Sequence, residues 1–268
     1  MQGSLNIEKP EVRLRAFRAI DDPDTCERFI EGHTHVLTSI GVTKVTSSKN
    51  EWTKNPAAFV MVVESMDGKK VYGGARVHVA GGNQPLPIEQ ATCAMDPKIF
   101  DLVWHYAQHG TGELCGLWNS REIAGYGIGS IFLIRTTVAI SYQIGIQSLF
   151  ALCAPYTIPP GEAVGMEIEK SVGNDGAFYY PKLDLIATTM ILKDVPTLSK
   201  AHDEDKNAII DIRENLNITR VEVLRRKEIT IHYEIKIKDI DKWDLKDNIL
   251  QAKKTFLKAK GGSNPEFI

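Results

Sequence analysis

The segment GELCGLWNSREIAGYGIGSIFLIRTTVAISYQIGIQSLFALCA, residues 112–154, constrains the fold more than any other part of the sequence. GELCGLW reads as a short apolar strand, IGSIFLIRTTVAISYQIG as a helix closed by a glycine, and IQSLFALCA as a second, fully apolar strand. Strands joined through a helix of this size are parallel neighbours, and such crossovers are right-handed. Between the first strand and the helix, Gly125, Gly127 and Gly129 stand at alternate positions. A glycine inside a regular element costs roughly 0.5–1 kcal/mol relative to alanine, so three in so short a space mark backbone that must stay bare.

A strand, a glycine-rich turn and a helix together make an anion site, because unpaired N–H groups at the helix start face outward and the helix dipole favours negative charge there. Two familiar glycine motifs do not fit. A Walker loop would close on Gly-Lys-Ser/Thr, whereas Ile131 follows Gly129 and Ser130. The dinucleotide pattern GxGxxG fails because Ser130 occupies its third glycine position and no acidic residue follows about 20 positions on.

Around this unit the chain alternates strands and helices. EVRLRAFRAI reads as a strand, 23–41 as one or two helices, 42–56 as loop, and AAFVMVVES and KVYGGARVHVA as a hairpin. GGNQPLP reads as loop, and a helix follows with Asp96 as N-cap and Pro97 in its first turn, ending at Gly110. One helix is expected within 156–173 and a strand over 182–194. Past Pro196 the chain becomes charged and helical. RKEITIHYEIKIKDI then alternates as a half-buried strand, 241–259 is an amphipathic helix, and the tail KGGSNPEFI reads as mobile. These readings divide the chain into a domain over 1–196 and a helix-strand-helix extension over 197–268.

A net charge of -2 gives no reason to expect a nucleic-acid partner. Cys26, Cys93, Cys115 and Cys153 are widely spaced without a CxxC pair, so reduced thiols and a cytoplasmic location are expected. The N-terminus has no apolar signal core, and the most apolar stretch, 128–154, is interrupted by Arg135, Gln143 and Gln147, so no membrane span is expected.

LCGLWNSREIAGYGIGSIFL resembles the central motif of the GNAT acyltransferase superfamily, a strand followed by Q/R-x-x-G-x-G/A and a long helix. The resemblance implies an α/β fold of three layers, α-β-α, around a mixed, mainly antiparallel sheet, here with a C-terminal α/β extension. It implies an N-acyltransferase that moves an acyl group, acetyl first, from acetyl-CoA or another acyl-CoA to the amine of a small molecule or peptide by direct transfer, without a metal. Backbone amides of Ala124, Gly125, Tyr126, Gly127, Ile128, Gly129 and Ser130 would then hold the pyrophosphate, and Leu117, Trp118 and Asn119 would line the pantetheine. On this view valine at Gly127 blocks the phosphate and leaves the fold intact. Glu122 replaces the usual Gln or Arg, and Arg121 is the neighbour able to offset its charge.

A weaker likeness, to the autoinducer and N-acyl amino acid synthases of the same fold, rests on GGARVHV and GELCGLWNS. Arg76 matches its G-x-x-R-L segment, while Gly116 and Leu117 stand where that subgroup has Ser-Arg. It implies a long acyl chain and an acyl-carrier protein donor, which a long apolar pocket between the splayed strands would favour over acetyl transfer. A non-catalytic acyl-CoA-binding protein is the alternative from another class.

Acyl transfer needs a neutral amine, a polarised carbonyl and a proton for the departing thiolate. Glu113 at the start of the motif strand is the candidate base, acting through water, and Tyr156 the candidate acid, with Tyr179 and Tyr180 as substitutes. Trp52, Trp118 and His78 are candidate pocket walls. Cys115 reads as a small buried residue, His105 and His109 as surface groups, and His33 and His35 as residues on different helix faces. Arg225, Arg226 and Lys227 read as a solvated strand end, with a carrier protein or the adenosine 3′-phosphate as the functional alternative. The C-terminal strand is able to pair within the chain or across a homodimer.

Overall fold

Alternation decides the first strand. In β1 (Glu11–Arg18), Val12, Leu14 and Ala16 enter one core, while Arg13 and Arg15 on the other face each donate Nε to Oε1 of the buried Glu64, at 2.8 and 2.7 Å. A computed structural model of the chain describes residues 10–39, 41, 50–180 and 185–261. β2 (Ala58–Glu64) is buried on both faces, and β3 (Val71–Val79) returns beside it after a turn through Gly68. The remaining strands are β4 (Thr111–Asn119), β5 (Ser148–Cys153), β6 (Glu167–Ile168), β7 (Ala177–Tyr180), β8 (Leu185–Leu192), β9 (Asn217–Leu224) and β10 (Lys227–Glu234).

One sheet contains them all, in the order β6-β8-β5-β4-β3-β2-β1-β10-β9, with β7 also on β8. β4 and β5 run parallel, as the crossover required, and β1 and β10 are the other parallel pair. The other neighbours are antiparallel, so the sheet is mixed and mainly antiparallel. On one face α4 (Leu133–Ile144) and α6 (Asp203–Glu214) cover a core that runs from Val12 to Ile237. The other face carries α1 (Pro23–Ser39) over an aromatic cluster, and α2 (Pro87–Thr92), α3 (Lys98–Ala107) and α7 (Leu245–Gly261) over a third cluster. A short helix, α5 (Ile158–Ala163), follows β5.

The C-terminal residues are fastened to α4 by polar contacts. Gln143 donates to the Ile235 carbonyl at 2.9 Å and accepts from the Ile237 amide at 3.1 Å, and the Trp243 indole donates to the Ile144 carbonyl at 3.0 Å. These bonds keep Ile235 and Ile237 buried although β10 ends at Glu234.

Some elements differ from the sequence expectation. Pro87–Thr92 is helical because Pro87 suits a first turn and Glu89 accepts the Leu86 amide at 2.7 Å. β9 was not anticipated: it is an edge strand with Val221 and Val223 exposed, so burial imprinted little pattern on it. β6 and β7 are short and were also missed. Residues 50–54 form a 3₁₀ turn that buries Trp52, whereas 42–49 and the tail from 262 lie outside the described residues. Among the described residues no helix is long and apolar enough to cross a membrane.

Candidate functional site

β4 and β5 pair only from Thr111 with Ser148 to Leu114 with Ala151, and then part. Beyond that point β4 is irregular on its other side too. Arg76 pairs with Cys115 and Gly74 with Trp118, so the β4 stretch opposite Ala75 is one residue too long, and the bulge falls at Gly116 and Leu117. A bulge leaves its extra residue outside the ladder, so this part of β4 carries amide and carbonyl groups released from β3 beside an edge that β5 has vacated. Gly116 sits at φ +59°, and a Cβ there would lie 2.9 Å from Nε of Arg76.

The glycine turn follows directly. Gly125 and Gly127 take left-handed φ of +84° and +83°. Gly129 is bare for a different reason: a Cβ would meet Oδ1 of Asn119 at 1.8 Å, so the Asn119 side chain lies against its backbone. The helix expected from Ile128 opens instead with a π-turn over Ile128–Phe132, in which the Phe132 amide donates to Gly127, and α4 starts at Leu133.

Two of the amides assigned to the phosphate are already engaged. Ala124 donates to Arg121 and Tyr126 to Ile123, at 3.2 and 3.4 Å, because a tight turn closes on its own carbonyls. Gly127 also differs from expectation, being buried rather than open. A Cβ there would come 2.7 Å from the Phe132 ring and 2.9 Å from Leu224. Gly127→Val is therefore expected to lower stability by roughly 2–4 kcal/mol, read by thermal unfolding, in place of the clean phosphate block the sequence implied. Glu122 is offset by Lys70, whose ammonium lies 2.7 Å from Oε2, and not by Arg121.

On the face that carries α1, α2 and α3, four polar side chains lie in a buried row: Arg76 and His78 from β3, Glu113 and Cys115 from β4. His78 and Glu113 are register partners. Burial pushes the Glu113 carboxyl up to about 8, with Glu89 adding to the rise, while its Oε2 accepts the Ile88 amide at 2.6 Å. Glu113 is thus fully enclosed under the start of α2. Burial lifts the half-buried Glu89 to about 7, holds His78 well below its ordinary value, and pushes the Cys115 thiol up to about 12, which leaves it a poor nucleophile.

Arg76 was noticed in the sequence only through a resemblance. It is fully buried, with its guanidinium 4.3 Å from the Trp52 ring centroid and 5.7 Å from that of Phe29. His33 stacks on Trp118, and burial pulls it down to about 4. The Trp118 ring faces α1, where Gly32 makes room for it, so any contact of Trp118 with a chain lying between β4 and β5 runs through its backbone. Leu117 and Asn119 are half-buried on the parted stretch.

Tyr156 lies on the turn after β5 and is 79% exposed. Tyr179 is exposed on β7, His35 and His105 are exposed on their helices, and His109 is exposed in the turn after α3. A cavity of about 630 Å³ opens between α3, α7 and the 80–85 loop, with Glu89 in its wall. Since Ala80 bonds to Thr111, this cavity lies beside the start of β4 and not between the parted ends of β4 and β5.

No protein-family model and no curated protein matches the sequence. Solved structures do match the fold. FeeM, an N-acyl amino acid synthase from uncultured soil microbes, aligns with a TM-score of 0.53 at 15% identity, over 72% of this chain and 96% of its own. BjaI, a CoA-dependent acyl-homoserine lactone synthase solved with SAM and isopentyl-CoA, gives 0.53 at 10% identity over 90% and 99%. MesI, another CoA-dependent acyl-homoserine lactone synthase, gives 0.50 at 13% identity over 75% and 95%. At such identities the likeness is one of fold, and that fold is the GNAT type.

Proposed function

We propose that this GNAT-fold chain is an N-acyltransferase that moves an acyl group directly from an acyl-CoA thioester to an amine. One conjunction carries the reading: at a single end of β4 the strand parts from β5, bulges at Gly116 and Leu117, and runs into a left-handed glycine turn. The parted edge offers backbone groups for the amides of a pantetheine arm along Leu117, Trp118 and Asn119. The bulge offers N–H groups for a thioester oxygen as it gains charge, and the Gly125 amide together with the start of the π-turn, through Ser130, faces the pyrophosphate.

Glu113 receives the amine proton through water. With its carboxyl held at about 8 it is protonated near neutrality and becomes an acceptor as pH rises. Tyr156, at the exposed end of β5, returns a proton to the departing thiolate. Acetyl is the first acyl group to test. A longer chain is the second reading, supported by Arg76, the residue that carries the synthase likeness, which stands fully buried on β3 opposite Cys115.

The test is calorimetric titration with coenzyme A, acetyl-CoA and a long-chain acyl-CoA, followed by thiol release in the presence of a panel of amines. Binding and amine-dependent thiol release are expected. Binding without release would leave a donor-binding protein, and no binding to any of the three would defeat the proposal.

A further inference from the structure

We infer that the β9–β10 hairpin completes the phosphate end of the donor site, with Lys227, Arg225 and Arg226 binding the phosphates of coenzyme A. The inference rests on the donor reading above. The glycine turn spends the Ala124 and Tyr126 amides on its own carbonyls, so it keeps few donors and no charge of its own for a ligand as acidic as a pyrophosphate. The hairpin brings that charge from about a hundred residues further along the chain. Lys227 reaches across Tyr126, its Nζ 4.8 Å from the ring centroid, and stands 3.0 Å from where a Cβ on Gly125 would be. Leu224, its cross-strand partner, packs over Gly127 and fixes the hairpin on the turn.

The hairpin tip carries its charge against local preference. Arg225 and Arg226 are the two residues of the tight turn and both have left-handed φ, 48° and 68°. Such a turn is made most easily by Asn-Gly, and an ordinary side chain costs roughly 1–2 kcal/mol at each left-handed position. Among the described residues no ion pair is found for Arg225, Arg226 or Lys227, so apart from the contact of Lys227 with the Tyr126 ring no carboxylate there balances the charge that this turn carries. The carboxylate closest in sequence to the glycine turn, Glu122, is already engaged by Lys70. Lys227 accordingly meets the pyrophosphate at Gly125, and the two arginines meet the outer 3′-phosphate.

Titration of the full chain with coenzyme A, dephospho-coenzyme A and pantetheine tests this. Lys227→Ala is expected to weaken both nucleotides about tenfold, the loss of one charge-assisted contact, and to leave pantetheine unchanged. Arg225→Asn with Arg226→Gly, a pair that suits the turn and so preserves the hairpin, is expected to weaken coenzyme A more than dephospho-coenzyme A. If the wild-type chain binds coenzyme A and both variants bind it equally well, the hairpin has no such role, although the donor reading stands. Tighter binding by Lys227→Ala would show a hairpin that obstructs the site and would overturn the inference. A wild-type chain that ignores coenzyme A but takes acyl groups from a carrier protein would overturn the inference and the acyl-CoA donor together.

Discussion

Gly116→Val is expected to lower the thermal midpoint by about 10 °C and to abolish donor binding, the larger of the two effects falling on the site. The position is left-handed at φ +59°, which a β-branched residue tolerates poorly. Its Cβ would also stand 2.9, 3.0 and 3.3 Å from Nε, Nη2 and Cζ of Arg76. That guanidinium is fully buried between Trp52 and Gly116, so it has nowhere to retreat. Strain and clash together amount to roughly 3–5 kcal/mol, which gives the midpoint shift for a chain of this size. Gly116→Asn separates the causes, because asparagine accepts the backbone angle and retains the clash. Should asparagine behave like wild type, the guanidinium contact is irrelevant; a valine variant with an unchanged midpoint would mean that the bulge is not built as described.

The same contact explains how far the sequence could be read. The parallel pair β4 and β5, the order of the main strands and the long helix between them follow from periodicity, since each buries a regular face. The glycines at 125, 127 and 129 were legible as backbone that must stay bare, but the sequence does not say what lies against them. Two are held by φ and one by Asn119, and the neighbours that close on Gly125 and Gly127 include Lys227 and Leu224, a hundred residues away. Contacts of that range leave no local signature. Glu113 showed the limit in another way: the sequence offers it as a candidate base but does not show that its carboxyl is buried under the start of α2, a helix of which only Pro87 falls in the stretch read as loop. Arg76 on a strand beside small residues carried a usable signal, because an arginine amid otherwise apolar alternation needs an aromatic or acidic partner.

Glu113→Gln provides the second large effect, and it divides catalysis from structure. Glutamine retains an oxygen for the Ile88 amide, so α2 keeps its contact while the titrating group is lost. If Glu113 takes the amine proton, thiol release falls by roughly 10²–10³-fold with coenzyme A affinity unchanged, and the wild-type rise in rate as pH passes about 8 disappears. The stability curve moves as well. A carboxyl raised from 4.5 to about 8 on folding means that the folded chain binds more protons than the unfolded chain between those values. Wild-type stability must therefore fall as pH rises through that window, by a few kcal/mol from this group, with Glu89 adding a fall in the same direction up to about 7. The variant keeps the Glu89 part and loses the Glu113 part, so it is expected to be more stable than wild type above pH 8 and nearly equal to it below 5. Denaturant titrations at pH 5, 7 and 9 read the stability curve, and thiol release at the same values reads the rate. A stability difference that follows this course while the rate stays at the wild-type level would assign Glu113 to holding α2 on the sheet and would remove it from the chemistry.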